Sequence, residues 1–225
     1  MRAACLSVGA FALSLLSSAC AIPHSSFARP VSPAGEGSRL ISAGVLVPVA
    51  GAASGPTKNQ RVRPAPIPIA AVDYALGDRH YVGLGVAVLP EFGFFEFSGK
   101  DPDAVVLNPR WELELAADLS VTADGMLVLG MDGGKDTAVS FSGGLRYYVP
   151  AGPGGFILSQ QFGFSFASVS LPGGVAYDIP ISLGEGRAIH LFPELRWDPN
   201  VGVESEDLTL TWIIASVGGS IMIDL

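Results

Sequence analysis

Few side chains in this sequence are of a type that does chemistry by itself. There are three histidines, His24, His80 and His190, and two cysteines, Cys5 and Cys20. No Gly-x-Ser-x-Gly, His-x-x-x-His or Cys-x-x-Cys spacing joins them to a partner. Without a base beside a nucleophile, or ligands spaced for a metal, no catalytic, cofactor or metal site is expected. Two acidic runs, Asp101-Pro102-Asp103 and Glu204-Ser205-Glu206-Asp207, offer the oxygens that calcium takes, and solvated loop charge explains them as well. A third group of charges has a regular spacing: Arg110, Glu112 and Glu114, then Arg146, Asp178 and His190, then Glu194, Arg196 and Asp198. Within the first and last of these runs the charges stand two apart and mix signs, and Arg146, Asp178 and His190 fall singly on the polar faces of other strands. Such a set closes on itself as ion pairs, because buried charges without partners are costly. It provides a structural salt-bridge core, or else a narrow polar path or a ligand site.

Residues two apart share a face only on a β-strand. Between Arg110 and Thr122 the side chains separate cleanly. Trp111, Leu113, Leu115, Ala117, Leu119 and Val121 fall on one face, and Arg110, Glu112, Glu114, Ala116, Asp118, Ser120 and Thr122 on the other. The same alternation sets Ile41, Ala43, Val45, Val47 and Val49 against Leu40, Ser42, Gly44 and Leu46. It sets Val139, Phe141, Leu145 and Tyr147 against Ser140, Ser142, Gly144 and Arg146. Val175 to Leu183 and Ile189 to Trp197 repeat it. Gly77-Asp78, Asp124-Gly125, Asp132-Gly133-Gly134, Pro150 to Gly155, Pro172-Gly173-Gly174, Gly184-Glu185-Gly186 and Asp198-Pro199-Asn200 carry turn chemistry. Cutting the chain there predicts about ten strands, near 38–50, 65–76, 79–97, 105–117, 119–130, 136–149, 155–168, 174–183, 187–198 and 208–225. The fifth is the least fixed: the turn sits at Asp118-Leu119 or at Asp124-Gly125, and losing a hairpin leaves eight. Each strand is close to the ~9–11 residues a tilted strand needs to cross a bilayer.

The connections alternate in length. Short ones fall near 77–79, 118–119, 150–154 and 184–186, and longer ones near 51–64, 98–104, 131–135, 169–173 and 199–207. That is the asymmetry of periplasmic turns and extracellular loops. His80 and His190 then follow inner turns, far from any chemistry at the outer surface.

Which face meets which medium decides between a membrane barrel and a soluble β-sandwich. Hydrophobic residues make up 49% and charged ones 15%, yet past the first twenty positions no apolar run reaches the ~20 residues of a spanning helix. The polar faces are rich in Gly, Ala and Ser (Gly83, Gly85, Ala87, Ser140, Ser142, Ser159, Gly163 and Ser165 among them), which suits a crowded lumen. Lys58, Lys100 and Lys135 are the only lysines, all in predicted loops. Tyr81, Phe92, Phe94, Phe95, Phe97, Tyr147, Tyr148 and Trp197 fall near predicted strand ends, as girdle aromatics do. The reading is an all-β, closed, antiparallel up-and-down transmembrane barrel with outer-membrane lipid around it. In it Arg110, Glu112, Glu114, Arg146, Asp178, Glu194 and Arg196 form a lumen charge network. The alternative is a lipid-anchored periplasmic sandwich or lipocalin-like barrel that binds an apolar ligand.

The N-terminus reads as an export signal. Arg2 is followed by an apolar stretch from Val8 to Leu16 and by small residues up to Ala21. Leu16-Ser17-Ser18-Ala19-Cys20 resembles a bacterial lipobox, which would acylate Cys20, with Ser17 in the usual leucine place. Ala19-Cys20-Ala21 also fits ordinary signal cleavage. The expected organisation is a signal over 1–19, a lipidated Cys20 and tether over 20–37, and a barrel over 38–225. Removing the signal leaves 12 basic and 21 acidic residues, net −9, which excludes a basic nucleic-acid surface. At most one cysteine remains, so no internal disulfide forms.

The segments Gly143-Gly144-Leu145-Arg146-Tyr147-Tyr148-Val149-Pro150 and His190-Leu191-Phe192-Pro193-Glu194-Leu195-Arg196-Trp197 resemble those of small bacterial outer-membrane β-barrel proteins of the OmpA-like or OmpW-like kind. Asp73-Tyr74-Ala75-Leu76-Gly77-Asp78 is a weaker echo. The resemblance implies location in the outer membrane, insertion by the barrel assembly machinery, and a structural or interaction role or a narrow pore. Barrels of this kind end in an aromatic residue that the machinery reads, whereas here Ile221, Ile223 and Leu225 lead to a leucine.

Overall fold

A computed structural model describes residue 30 and residues 36–53, 66–77, 79–89, 104–130, 137–165, 168–184, 187–204 and 207–224. The strands, in chain order, are β1 Arg39–Ala53, β2 Ile67–Ala75, β3 His80–Leu89, β4 Ala104–Ala116, β5 Leu119–Gly130, β6 Thr137–Ala151, β7 Gly154–Ser165, β8 Ser168–Ser170, β9 Gly173–Gly184, β10 Arg187–Glu204 and β11 Asp207–Asp224. Apart from β8 and β9, which do not pair with each other, each pairs antiparallel with its sequence neighbour, and β11 pairs back onto β1. β8 and β9 both lie between β7 and β10, so together they make one stave of ten. The sheet is a closed barrel with no free edge, the only way strands can satisfy every backbone group in a medium without water.

The ring can be followed residue by residue. Leu40 stands beside Asp73, then Gly83, Arg110, Asp124, Ser142, Gly163, Ser170, Asn200 and Trp212. Trp212 stands beside Ala53, so the path returns to β1 thirteen residues above its start, Val49 being an extra residue skipped at the bulge between Pro48 and Ala50. A stagger of that size over ten strands corresponds to a tilt of roughly 40°.

Both barrel termini and the connections at 76–79, 117–118, 152–153 and 185–186 share one end. The other five connections share the opposite end. Gly77 and Gly152, with φ of 92° and 62°, take the left-handed backbone that these short turns need. The β4–β5 turn falls at Ala117-Asp118, and Asp124-Gly125 runs straight through mid-strand. Its turn chemistry misleads because Asp124 is an inward side chain and Gly125 sits beneath the ring of Pro109.

Three other expectations shift. The region expected as a loop over 169–173 is mostly strand, with Ser168–Ser170 paired to both neighbours. The expected loop at 199–207 is largely strand too, because β10 and β11 remain paired up to Glu204 and Asp207. Tyr81 and Tyr148 are not girdle residues. Both are buried, since each shares the inward parity of its strand. Phe92, Phe94, Phe95, Phe97 and the third strand beyond Leu89 lie outside the described residues, as do Cys20 and most of the expected tether, within which Pro30 is buried.

Candidate functional site: a charged belt inside the barrel

The two faces of the wall are chemically opposite. Phe141, Leu145, Phe162, Phe164, Leu195, Val217 and Ile221 are each about half exposed on the outside. Inside, Asp73, Arg110, Glu112, Asp124, Arg146, Asp178, Arg196 and Asp198 are all buried. A soluble barrel would have this pattern inverted.

Inward residues form layers. At the end carrying the termini, Leu40, Ala75, Tyr81, Tyr148, Ile157, Ala176, Phe192 and Met222 make one apolar cluster. Toward the other end, Leu46, Ile67, Ile69, Ala71, Ala87, Ala104, Val106, Met126 and Val128 make a second, on the wall from β1 to β5. Charges occupy the level between. Arg110 donates through Nε and Nη2 to the two carboxylate oxygens of Asp73, a fork-to-fork pair. Arg146 Nη1 donates to Glu112 Oε2 at 2.6 Å, while the Tyr148 hydroxyl donates to Glu112 Oε1 at 2.8 Å. The Gln161 amide donates to Thr122 Oγ1 at 3.2 Å and to Asp124. Arg110 interacts electrostatically with Arg146, Asp124, Glu112 and Arg196, so these groups act as one network.

The strands place these groups by register alone. Arg110 faces Gly83 on β3, and Gly83 faces Asp73 on β2, so the guanidinium reaches across a residue with no side chain. A Cβ on Gly83 would run into the Asp73 carboxylate. Arg146 stands beside Ser120 on β5 and Ser159 on β7, small neighbours that leave it room to cross toward Glu112. Leu40, Asp73, Tyr81, Arg110, Trp111, Glu112, Asp124 and Arg146 surround a cavity of about 20 Å³, room for about one water.

The seven network residues expected from the sequence divide four ways. Arg110, Glu112 and Arg146 meet in the belt. Glu194 and Arg196 pair with each other along one strand at 2.9 Å. Asp178 lies apart, nearer the terminal end, where its Oδ1 is 2.7 Å from His190 Nδ1. Glu114 is buried on the Arg110 face of β4, beside Ser120. Asp73, Thr122, Asp124, Tyr148 and Gln161 belong to the belt and were not singled out for it. Parity would have found Asp73, which alternates with Ile67, Ile69, Ala71 and Ala75.

The Asp178–His190 pair is the nearest approach to catalytic geometry. Among the described residues no hydroxyl is hydrogen-bonded to that imidazole, and no group of three side chains could hold a metal. Of the acidic runs, residues 101–103 and 205–206 lie outside the described residues.

These features define a class: a ten-stranded antiparallel barrel, apolar outside and charged within. The sequence matches no protein-family model and no curated protein. Among solved structures it is similar to the N-terminal β-barrel domain of Pseudomonas aeruginosa OprF, at 11% identity and a TM-score of 0.31. The match covers 84% of this chain and 99% of that one.

Proposed function

We propose that this chain is a bacterial outer-membrane protein whose barrel is a filled, non-catalytic structural body that presents its outer connections for interaction. The observation carrying this reading is the orientation of the wall: leucines and phenylalanines face out while arginine and carboxylate side chains are buried inside. An exterior of this kind is stable only against acyl chains. A lipocalin-like or sandwich fold binding an apolar ligand needs an apolar interior, whereas this interior holds the belt of ion pairs. A structural role suits the lumen better than a pore does, because its side chains fill it and water reaches few of them.

Export follows from the N-terminal signal, with residues 1–19 removed, Cys20 acylated and 20–37 serving as tether. The inner turns face the periplasm, and the barrel assembly machinery inserts the closed wall. The test is electrophoresis of detergent-extracted full-length protein. The unboiled sample should migrate as a compact band that shifts on boiling, and the protein should fractionate with outer membranes. An unshifted band from protein released without detergent after Cys20→Ala would sink the proposal. Cysteine placed at Leu195 should react with a bilayer-soluble reagent, and cysteine at Ser216 should resist it.

A further inference from the structure

Pro172, just ahead of β9, and Pro199 on β10 leave gaps in the hydrogen-bond ladder, and one outward side chain fills both. In a close antiparallel pair each residue donates its N–H to the other's carbonyl. Gln161 N donates to Pro172 O at 2.8 Å, and Leu171 N donates to Pro199 O at 3.0 Å. Neither return bond can form, because Pro172 and Pro199 have no N–H. The carbonyls of Gln161 and Leu171 are therefore orphaned. The Gln160 side-chain amide donates to both, at 3.2 Å each, and also to Pro172 O at 3.2 Å. Gln160 is exposed on the outer face among Leu158, Phe162 and Phe164. An amide there is out of place in an apolar band unless it serves the backbone.

Among the described residues a second side chain serves the same purpose. Glu114 N donates to Arg79 O, just ahead of β3, so by alternation the N–H at position 109 would face β5. Position 109 is proline, the ladder there skips from Leu107 to Arg110, and the opposite carbonyl is that of Gly125. The Asn108 side chain donates to Gly125 O at 2.5 Å. Asn108 is buried in the lumen, whereas Gln160 is open to the outside.

The β9–β10 ladder is broken a second time. It runs from Leu191 opposite Ile179 to Glu194 opposite Ala176, and skips Phe192 and Pro193. Pro193 cannot donate either. Further along β10, on its inner face, lie Arg196, which stands opposite Gly174 and has Nη2 unpartnered, and Asp198, with both carboxylate oxygens unpartnered, all buried.

We propose that the seam formed by β7, β9 and β10 is a side-opening latch, that Gln160 is its catch, and that release admits polar groups from the bilayer side to Arg196 and Asp198. A backbone bond opens only if its strands part, whereas a side-chain amide can rotate away. The wall is therefore weakest where Gln160 stands in for the backbone. The inference rests on the membrane reading, since only hydrocarbon makes an orphaned carbonyl costly enough to need this replacement.

The test uses the full chain in lipid nanodiscs. Gln160→Leu should speed hydrogen exchange at Gln161 and Leu171 at least tenfold. It should also speed maleimide labelling of a cysteine at Ser216, which stands beside Arg196, but not of one at Ser120 on the far wall. Adding Pro172→Ala and Pro199→Ala restores the backbone donors and should abolish both effects. Unchanged exchange in Gln160→Leu, equal acceleration at Ser216 and Ser120, or no rescue by the alanines would overturn the latch. Failure of the membrane reading shows separately, as loss of the boiling-dependent shift in the unmutated protein.

Discussion

The charges of the belt are tolerated because of specific neighbours. Arg146 and Glu112 are both buried at 2.6 Å, and Tyr148 occupies the second carboxylate oxygen. Removing one member strands the other, at a cost of about 3–5 kcal/mol, whereas replacing both with apolar side chains of similar volume is close to neutral. Arg146→Met should therefore lower the urea midpoint of the refolded barrel strongly. Adding Glu112→Leu should recover most of the loss, and a double variant as unstable as the single one would refute the pairing. Gly83 offers a second check. It carries no unusual backbone angle, so its role is space: any Cβ displaces the Asp73 carboxylate from Arg110. Gly83→Ala should cost about 1–3 kcal/mol by overcrowding. The same change at Gly143, where a Cβ meets nothing closer than 3.5 Å, should be nearly silent.

At the scale of strands, alternation made most of the architecture legible, because a two-residue period allows one assignment of faces. It placed Arg110, Glu112, Arg146 and Arg196 inward before any coordinates. It failed where both faces are apolar or where a local motif is used for something else. Leu40, Leu46, Ile67 and Ile69 fill the lumen, yet their hydrophobicity also suits lipid, so neither apolar layer was foreseen. Asp124-Gly125 looked like a hairpin, but the aspartate accepts from Gln161 and the glycine accommodates Pro109. Pairings such as Asp73 with Arg110 depend on the register between β2, β3 and β4, which no single strand encodes. The strands also yield a depth prediction. Leu145 lies mid-way along β6 on the outer face, and Leu115 lies beside the inner turn of β4. An arginine at Leu145 should cost about 2–4 kcal/mol in bilayer refolding, and one at Leu115 at most about 1. Equal costs at the two depths would mean that the outer face does not meet a hydrocarbon slab.

For the molecule as a whole, the stacking of layers along the axis determines what can cross it. An ion entering from the terminal end meets Tyr81, Tyr148, Ile157 and Phe192, with the Asp178–His190 pair beside them, and most of that layer offers little to replace its hydration shell. Beyond it stands the belt, whose arginines already hold carboxylates. The space left among Asp73, Arg110, Glu112 and Arg146 is about 20 Å³, so at most about one water fits there without moving a side chain. Two barriers of opposite character in series mean that weakening one leaves the other. The intact protein should give no unitary current in planar bilayers. The paired change Arg146→Met with Glu112→Leu should give none either, because the apolar layer remains. Ile157→Ala with Phe192→Ala opens that layer but leaves the belt, and should give at most brief, rare openings. Steady conductance from the unmutated chain would show that the belt comes apart in the bilayer, and would turn the reading from a filled structural barrel to a pore.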